Sequence, residues 1–192
     1  CPDEPQEIIL DESAWIYALY CTATGNRHYT ITPLNGETIR IGYYYGLNGS
    51  AARTVDLTIN AGILVASTYL RVYCYGGLTT LNGPIIPSPT EQTSVYLAPH
   101  ISTGWLVLGA SNNISEIRCS AGTKIIFNHP HAAASGSYIR SSSQTFLVQT
   151  NDVKVRRFWA DGASLELGVH ESLAGQDVAM QIGYAEDSAN MF

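Results

Sequence analysis

Lysine is almost missing from this chain. Two of its 192 residues are Lys, Lys124 and Lys154, and only 14% carry a charge, against about a quarter in an average soluble domain. A surface poor in Lys and rich in Tyr has the composition of an interface; a secreted β-protein with ordinary Ser, Thr, Asn and Gln faces is the plainer reading. Bases are also outnumbered, ten to sixteen acids, for a net charge of −6. That balance argues against nucleic acid as a partner. No apolar run reaches the roughly 18 residues needed for a transmembrane segment. Neither an initiator Met nor a signal sequence precedes Cys1, so a processed or trimmed chain is expected.

The signatures of catalysis are missing too. There is no G-x-S-x-G elbow and no phosphate-binding loop, dinucleotide fingerprint or EF-hand spacing. The four cysteines, Cys1, Cys21, Cys74 and Cys119, form no C-x-x-C pair, which argues against zinc and thioredoxin-like chemistry. His129 and His131 have the alternate spacing that places two metal ligands on one strand face. They bracket Pro130 in an Ala/Ser/Gly-rich loop, and no pattern joins them to His28, His100 or His170. Exposed loop histidines are the simpler reading. Glu166 and Glu171 come nearest to a carboxylate pair for glycoside hydrolysis, but ordinary solvent-facing acids explain them as well. Neither an enzyme nor a cofactor or metal is expected.

What the chain does have is alternation. The central stretch Glu37–Gly62 holds two strand patterns. Ile39, Ile41 and Tyr43 fall on one face of the first, and Val55, Leu57 and Ile59 on one face of the second. Successive strand side chains point to opposite faces, so each strand has a buried and a wet side. Asn48-Gly49 between them favours a hairpin turn. Further on, Leu70, Val72 and Cys74 alternate with Tyr69, Arg71 and Tyr73, and short strand candidates continue to Tyr184. Asp161-Gly162 suggests another hairpin, and Pro33 suggests an edge strand. About a dozen strands, no convincing amphipathic helix and no visible repeat indicate an all-β fold. The expected form is an antiparallel β-sandwich, immunoglobulin-like or jelly-roll. The Pro-bearing segment 78–92 is a candidate boundary between two β subdomains within a 21–192 body.

Cys74 and Cys119 lie in strand patterns, where a disulfide would clamp two sheets of an exported protein; Cys1 and Cys21 are further candidates. Two buried thiols are the alternative. Cys1 also resembles the lipid-bearing mature N-terminus of bacterial lipoproteins. Asn48-Gly49-Ser50 and Asn113-Ile114-Ser115 match the N-glycosylation pattern, so glycans at Asn48 and Asn113 are to be considered.

The first twenty residues read as an extended arm. Asp3, Glu4, Glu7, Asp11 and Glu12 make its start acidic, and Ile8, Ile9, Leu10, Trp15, Ile16, Tyr17 and Leu19 make the rest apolar. An arm of this kind either folds back as the first strand or docks on a neighbour. In the second case Asp11 and Glu12 would meet Arg156 and Arg157 at the rim.

Two resemblances follow from these residues. The stretch GETIRIGYYYGLNGSAARTVDLTINAG is similar to the core strands of galactose-binding-like carbohydrate modules. In organisation, an acidic Pro-containing leader, Ile8–Leu10 and Trp15–Tyr20 ahead of a β body resemble bacterial extracellular fibril and pilus subunits. Those polymerise by donating an N-terminal strand, which satisfies an open sheet edge. The second resemblance implies a structural subunit at the cell surface, with other copies of itself as partners. A virion surface or fibre protein and a secreted carbohydrate-binding module are the competing expectations.

Overall fold

Alternating apolar residues make the strands, and short polar turns make the corners between them. The computed structural model describes residues 5–182 apart from 22–26, 43–46, 50–54, 75, 93, 102–103, 121, 134–137, 142–144, 150–152, 156, 161–164 and 170–179. For strand residues 21, 48, 49, 100, 101, 145, 146, 148 and 149, and for those from 153 onward, it describes the backbone only. The strands follow one another in a repeating circuit. The first circuit is β1 (Gln6–Leu10), β2 (Ala14–Ile16) and β3 (Leu19–Cys21). The second is β4 (Arg27–Pro33), β5 (Thr38–Ile41) and β6 (Leu47–Gly49). The third is β7 (Val55–Ile59), β8 (Gly62–Val65) and β9 (Tyr69–Cys74), and the fourth β10 (Leu78–Leu81), β11 (Ile85–Pro87) and β12 (Tyr96–Ile101). The fifth and sixth keep two strands each, β13 (Trp105–Leu108) with β14 (Glu116–Cys119), and β15 (Thr123–Phe127) with β16 (Tyr138–Ser141). Then come β17 (Thr145–Gln149), β18 (Val153–Val155), β19 (Arg157–Ala160), β20 (Leu165–Val169) and β21 (Met180–Ile182).

Each strand pairs with the equivalent strand of the next circuit, and every pairing is parallel. The first wall is an eight-stranded sheet in the order β1-β4-β7-β10-β13-β15-β17-β20. The second has four strands, β2-β5-β8-β11, and the third seven, β3-β6-β9-β12-β14-β16-β19; β18 and β21 form a separate pair. This is a β-solenoid. It corrects the expected antiparallel β-sandwich, immunoglobulin-like or jelly-roll. Parallel neighbours need a crossover of a dozen or more residues, and here the rest of each circuit supplies it. Circuit length runs from 19 residues (Leu106 to Ile125) to 28 (Tyr29 to Leu57).

The two central strands therefore never pair with each other. β5 belongs to the second wall and β7 to the first. Asn48-Gly49, expected as a hairpin turn, lies inside β6, in register with Tyr20-Cys21. Pro33 closes β4 at its last position, inside the sheet rather than at its edge. Segment 78–92 holds β10 and β11.

The core is a set of aliphatic columns. Ile39, Ile63 and Ile85 stack in the second wall. Leu70 and Leu97 stack in the third, as do Leu97 with Ile117 and Ile117 with Ile139. In the first, Ile31, Ile59, Leu81, Leu108 and Phe127 follow one another. All are buried. Each contributes about 1.5–3 kcal/mol of transfer free energy before ordering costs.

Turns stack as well. At the corner after the first wall the backbone N–H of Asn60, Asn82, Gly109 and Asn128 each donates to a carbonyl of the preceding circuit's first-wall strand: Ile31, Ile59, Leu81 and Leu108. Asn82 Nδ2 donates to Asn60 Oδ1 at 3.0 Å. The corner at Gly36 has φ +89°, a conformation that suits glycine. Among the described residues circuits five and six have no second-wall strand, and Asn112 holds them. Its buried amide accepts from Ile85 N at 2.8 Å and donates to the Ala132 carbonyl at 2.7 Å.

Candidate functional site

A solenoid buries each circuit against its two neighbours, so an end circuit has one uncovered side. In the first circuit β1, β2 and β3 are each the last strand of their walls. Among the described residues no strand pairs with their free sides, so three sheet edges open together at one end. Ile8 takes the inward column above Ile31 and Ile59. Ile31 and Ile59 are buried, while Ile8 is 49% exposed. Leu10, Ile16 and Leu19 also continue inward columns and are only partly buried against the core. Outward-facing Ile9, Trp15, Tyr17 and Tyr20 add to the apolar surface. Of the seven large hydrophobic side chains described as exposed, five belong to this circuit: Ile8, Ile9, Trp15, Tyr17 and Tyr20.

The circuit is fastened to its own chain. β1 pairs in parallel with β4 from Gln6 opposite Tyr29 to Leu10 opposite Pro33. The corners are tied by Leu34 N to Leu10 O at 2.9 Å and Gly42 N to Ile16 O at 3.0 Å. Thr38 N donates to Ser13 Oγ at 3.0 Å, and Thr32 Oγ1 to Glu7 Oε1 at 2.9 Å. Arg40 lies 4.6 Å from the centroid of the Trp15 ring and pairs with Glu91 of the fourth circuit. Trp15 is nonetheless 72% exposed.

The apolar residues of the expected arm, Ile8, Ile9, Leu10, Trp15, Ile16, Tyr17 and Leu19, are thus brought together at one end of the solenoid. Asp11 and Glu12 are exposed at the corner between β1 and β2. Arg156 lies outside the described residues. Arg157 starts β19, six strand positions from β3, or about 29 Å at the usual spacing. The acids and Arg157 therefore sit near opposite ends of one copy.

The expected disulfide between Cys74 and Cys119 is corrected: both are buried thiols, and neither is in a disulfide. β9 and β14 are separated by β12, so the two cysteines are at least two strand spacings apart, about 9.6 Å. A disulfide needs Cα atoms within about 4.4–6.8 Å. Burial pushes the Cys74 thiol up to about 11, and a hydrogen bond with Thr79 works against that rise. Cys1 lies outside the described residues. Cys21 ends β3, and Asn48 lies in β6 opposite Tyr73. Asn113 is exposed in the turn after β13, with its N–H on the Ile85 carbonyl.

The rings of His129 and His131 stand 5.9 Å apart, and His129 Nδ1 accepts the His131 N–H. His28 is elsewhere, 2.9 Å from Asp56. Among the described residues no group of three His, Cys, Asp or Glu side chains could hold a metal, and no helix is long and apolar enough to cross a membrane.

Sequence reasoning missed Arg40 at this end, and missed that the uncovered surface comprises three edges rather than one strand. The signal for Arg40 was its place among alternating apolar residues, which marks it as outward-facing. Comparison with protein-family models, curated proteins and solved structures finds no match for the chain.

Proposed function

We propose that this protein is a structural subunit of an extracellular fibre that assembles head to tail, with the first circuit, Gln6–Cys21, as its connector. The carrying observation is the open end itself: three parallel edges that no strand pairs with among the described residues, carrying Ile8, Ile9, Trp15, Tyr17 and Tyr20. Unpaired strand edges template further strands. The occupant is the last circuit of a second copy, which would continue the same ladders. Such a joint also places Asp11 and Glu12 of one copy near the Arg157 end of the next, where the charges orient the encounter more than they hold it.

The test is sedimentation velocity with negative-stain microscopy on the whole chain and on two variants. Ile8→Lys puts a charge on the stacking plane, and Ile9→Lys puts one at its rim. The chain should form rods that lengthen with concentration, and both variants should remain single particles. A chain that stays monomeric across the concentration range, or variants whose rods match the parent's, would overturn the reading.

A further inference from the structure

In a parallel ladder each residue turns its N–H and C=O to the same neighbouring strand, and successive residues alternate sides. Inward residues of this solenoid turn theirs to the following circuit. The carbonyls of Ile31, Ile59 and Leu81 accept from Asn60, Asn82 and Gly109, and in the first circuit those of Leu10 and Ile16 accept from Leu34 and Gly42. Glu7, Ile9 and Trp15 alternate with Ile8, Leu10 and Ile16, so they turn their backbone groups to the open side.

The other end of the first wall is complementary. β20 is its last strand, and among the described residues no strand pairs with the side of β20 away from β17. Opposed residues run through all eight strands without a skip. The column that begins at Ile8 ends at Val169, the one from Glu7 ends at Gly168, and the one from Gln6 ends at Leu167. Val169 and Leu167 share the columns of inward residues, so by the same alternation they turn N–H and C=O to the unpaired side. One edge of the wall offers the groups of Glu7 and Ile9, and the other those of Leu167 and Val169.

We propose, resting on the reading that copies stack head to tail, that the joint is a parallel ladder of fixed register. β20 of one copy lies beside β1 of the next, with Val169 opposite Ile8, Gly168 opposite Glu7 and Leu167 opposite Gln6. In this register the Ile9 N–H donates to the Val169 carbonyl, the Val169 N–H to the Glu7 carbonyl and the Glu7 N–H to the Leu167 carbonyl. A one-residue slip puts the two sets of groups out of step and turns inward side chains to the wet face. A two-residue slip that brings Leu167 opposite Ile8 keeps the faces but sets Glu166 opposite Glu7, and like charges on opposed residues repel. Backbone pattern and charge thus select one register.

The test is the protein concentration at which rods appear, read by light scattering and negative-stain microscopy on the whole chain and its variants. Ile9→Pro removes a donor that faces the open side, at an edge position where proline is accommodated. It should raise that concentration about ten-fold, as expected for a carbonyl left without its donor. Gly168→Glu sets a second acid opposite Glu7 and should raise it about three-fold. Adding Glu7→Lys to Gly168→Glu should restore the parent's value. Adding Glu12→Lys, the same change of net charge at the next corner, should not. Circular dichroism checks the fold of each variant, and the charge swap decides alone where Ile9→Pro does not fold. Rods from folded Ile9→Pro or from Gly168→Glu at the parent's concentration, or equal rescue by both substitutions, would overturn the ladder and its register while head-to-tail stacking stands. A parent that forms no rods would overturn the stacking and the ladder with it.

Discussion

The buried thiol of Cys74 gives the protein a defined alkaline weakness. Its side chain points into the core and burial raises its pKa from 9.0 to about 11. The folded state therefore keeps its proton where the unfolded state has lost it. This contribution is intact below pH 9 and disappears as pH climbs towards 11. Two units correspond to about 2–3 kcal/mol. Urea midpoints at pH 8 and pH 10.5 should differ in that direction, and Cys74→Ala should flatten the dependence. In the native state at neutral pH neither Cys74 nor Cys119 should react with a thiol reagent. Gly83 is sensitive for a steric reason. A Cβ there would lie 1.9 Å from the Ala61 carbonyl oxygen, on the turn of the neighbouring circuit. Backbone must move to admit it, so Gly83→Ala should cost at least about 2 kcal/mol in a denaturation midpoint.

At the scale of elements, the loops that replace second-wall strands rest on Asn112. Asn112→Ala would leave Ile85 N and the Ala132 carbonyl without their partners. Orphaned buried groups cost about 1–3 kcal/mol each, so a loss of about 2–4 kcal/mol is expected in chemical denaturation. Individual strands were legible in the sequence: Ile39 and Ile41, Val55, Leu57 and Ile59, and Leu70, Val72 and Cys74 are buried as their alternation requires. Their direction was not. Parallel sheets are usually covered on both faces and read as continuous apolar runs, whereas these walls have one wet face and alternate like antiparallel strands. Asn-Gly at 48–49 carried a hairpin signal, yet Leu47 and Asn48 pair with Val72 and Tyr73 on another circuit. Circuit lengths that vary from 19 to 28 residues hide the repeat from any fixed-period search. The apolar arm was legible as a segment too hydrophobic for water. That it forms three edges of one open end depends on pairings across more than twenty residues, such as Ile8 with Ile31.

For the molecule as a whole, stacked circuits imply that one can be removed if the register survives. Leu106, Val107 and Leu108 stand opposite Ile125, Ile126 and Phe127. Excising 106–124 would join Trp105 to Ile125, so that Ile125 and Phe127 fill the inward places of Leu106 and Leu108. In the third wall β16 would then follow β12, and its Ile139 could stack on Leu97 as Ile117 does now. Stability in such proteins is close to a sum over circuits and their interfaces. At about 0.05–0.15 kcal/mol per residue, one circuit carries about 1–3 kcal/mol, and its loss should lower Tm by roughly 2–10 °C. The Asn112 bond to Ile85 goes with it, which puts the expected drop towards the upper part of that range. Excising 106–123 instead shifts the register by one residue. Lys124 then takes the inward place of Leu106, and Ile125 turns outward. A lysine buried without a partner is costly, so this variant should lose its cooperative thermal transition while the longer deletion keeps one. Similar melts for the two would mean that the corners absorb a one-residue slip, and that the aliphatic columns do not set the register.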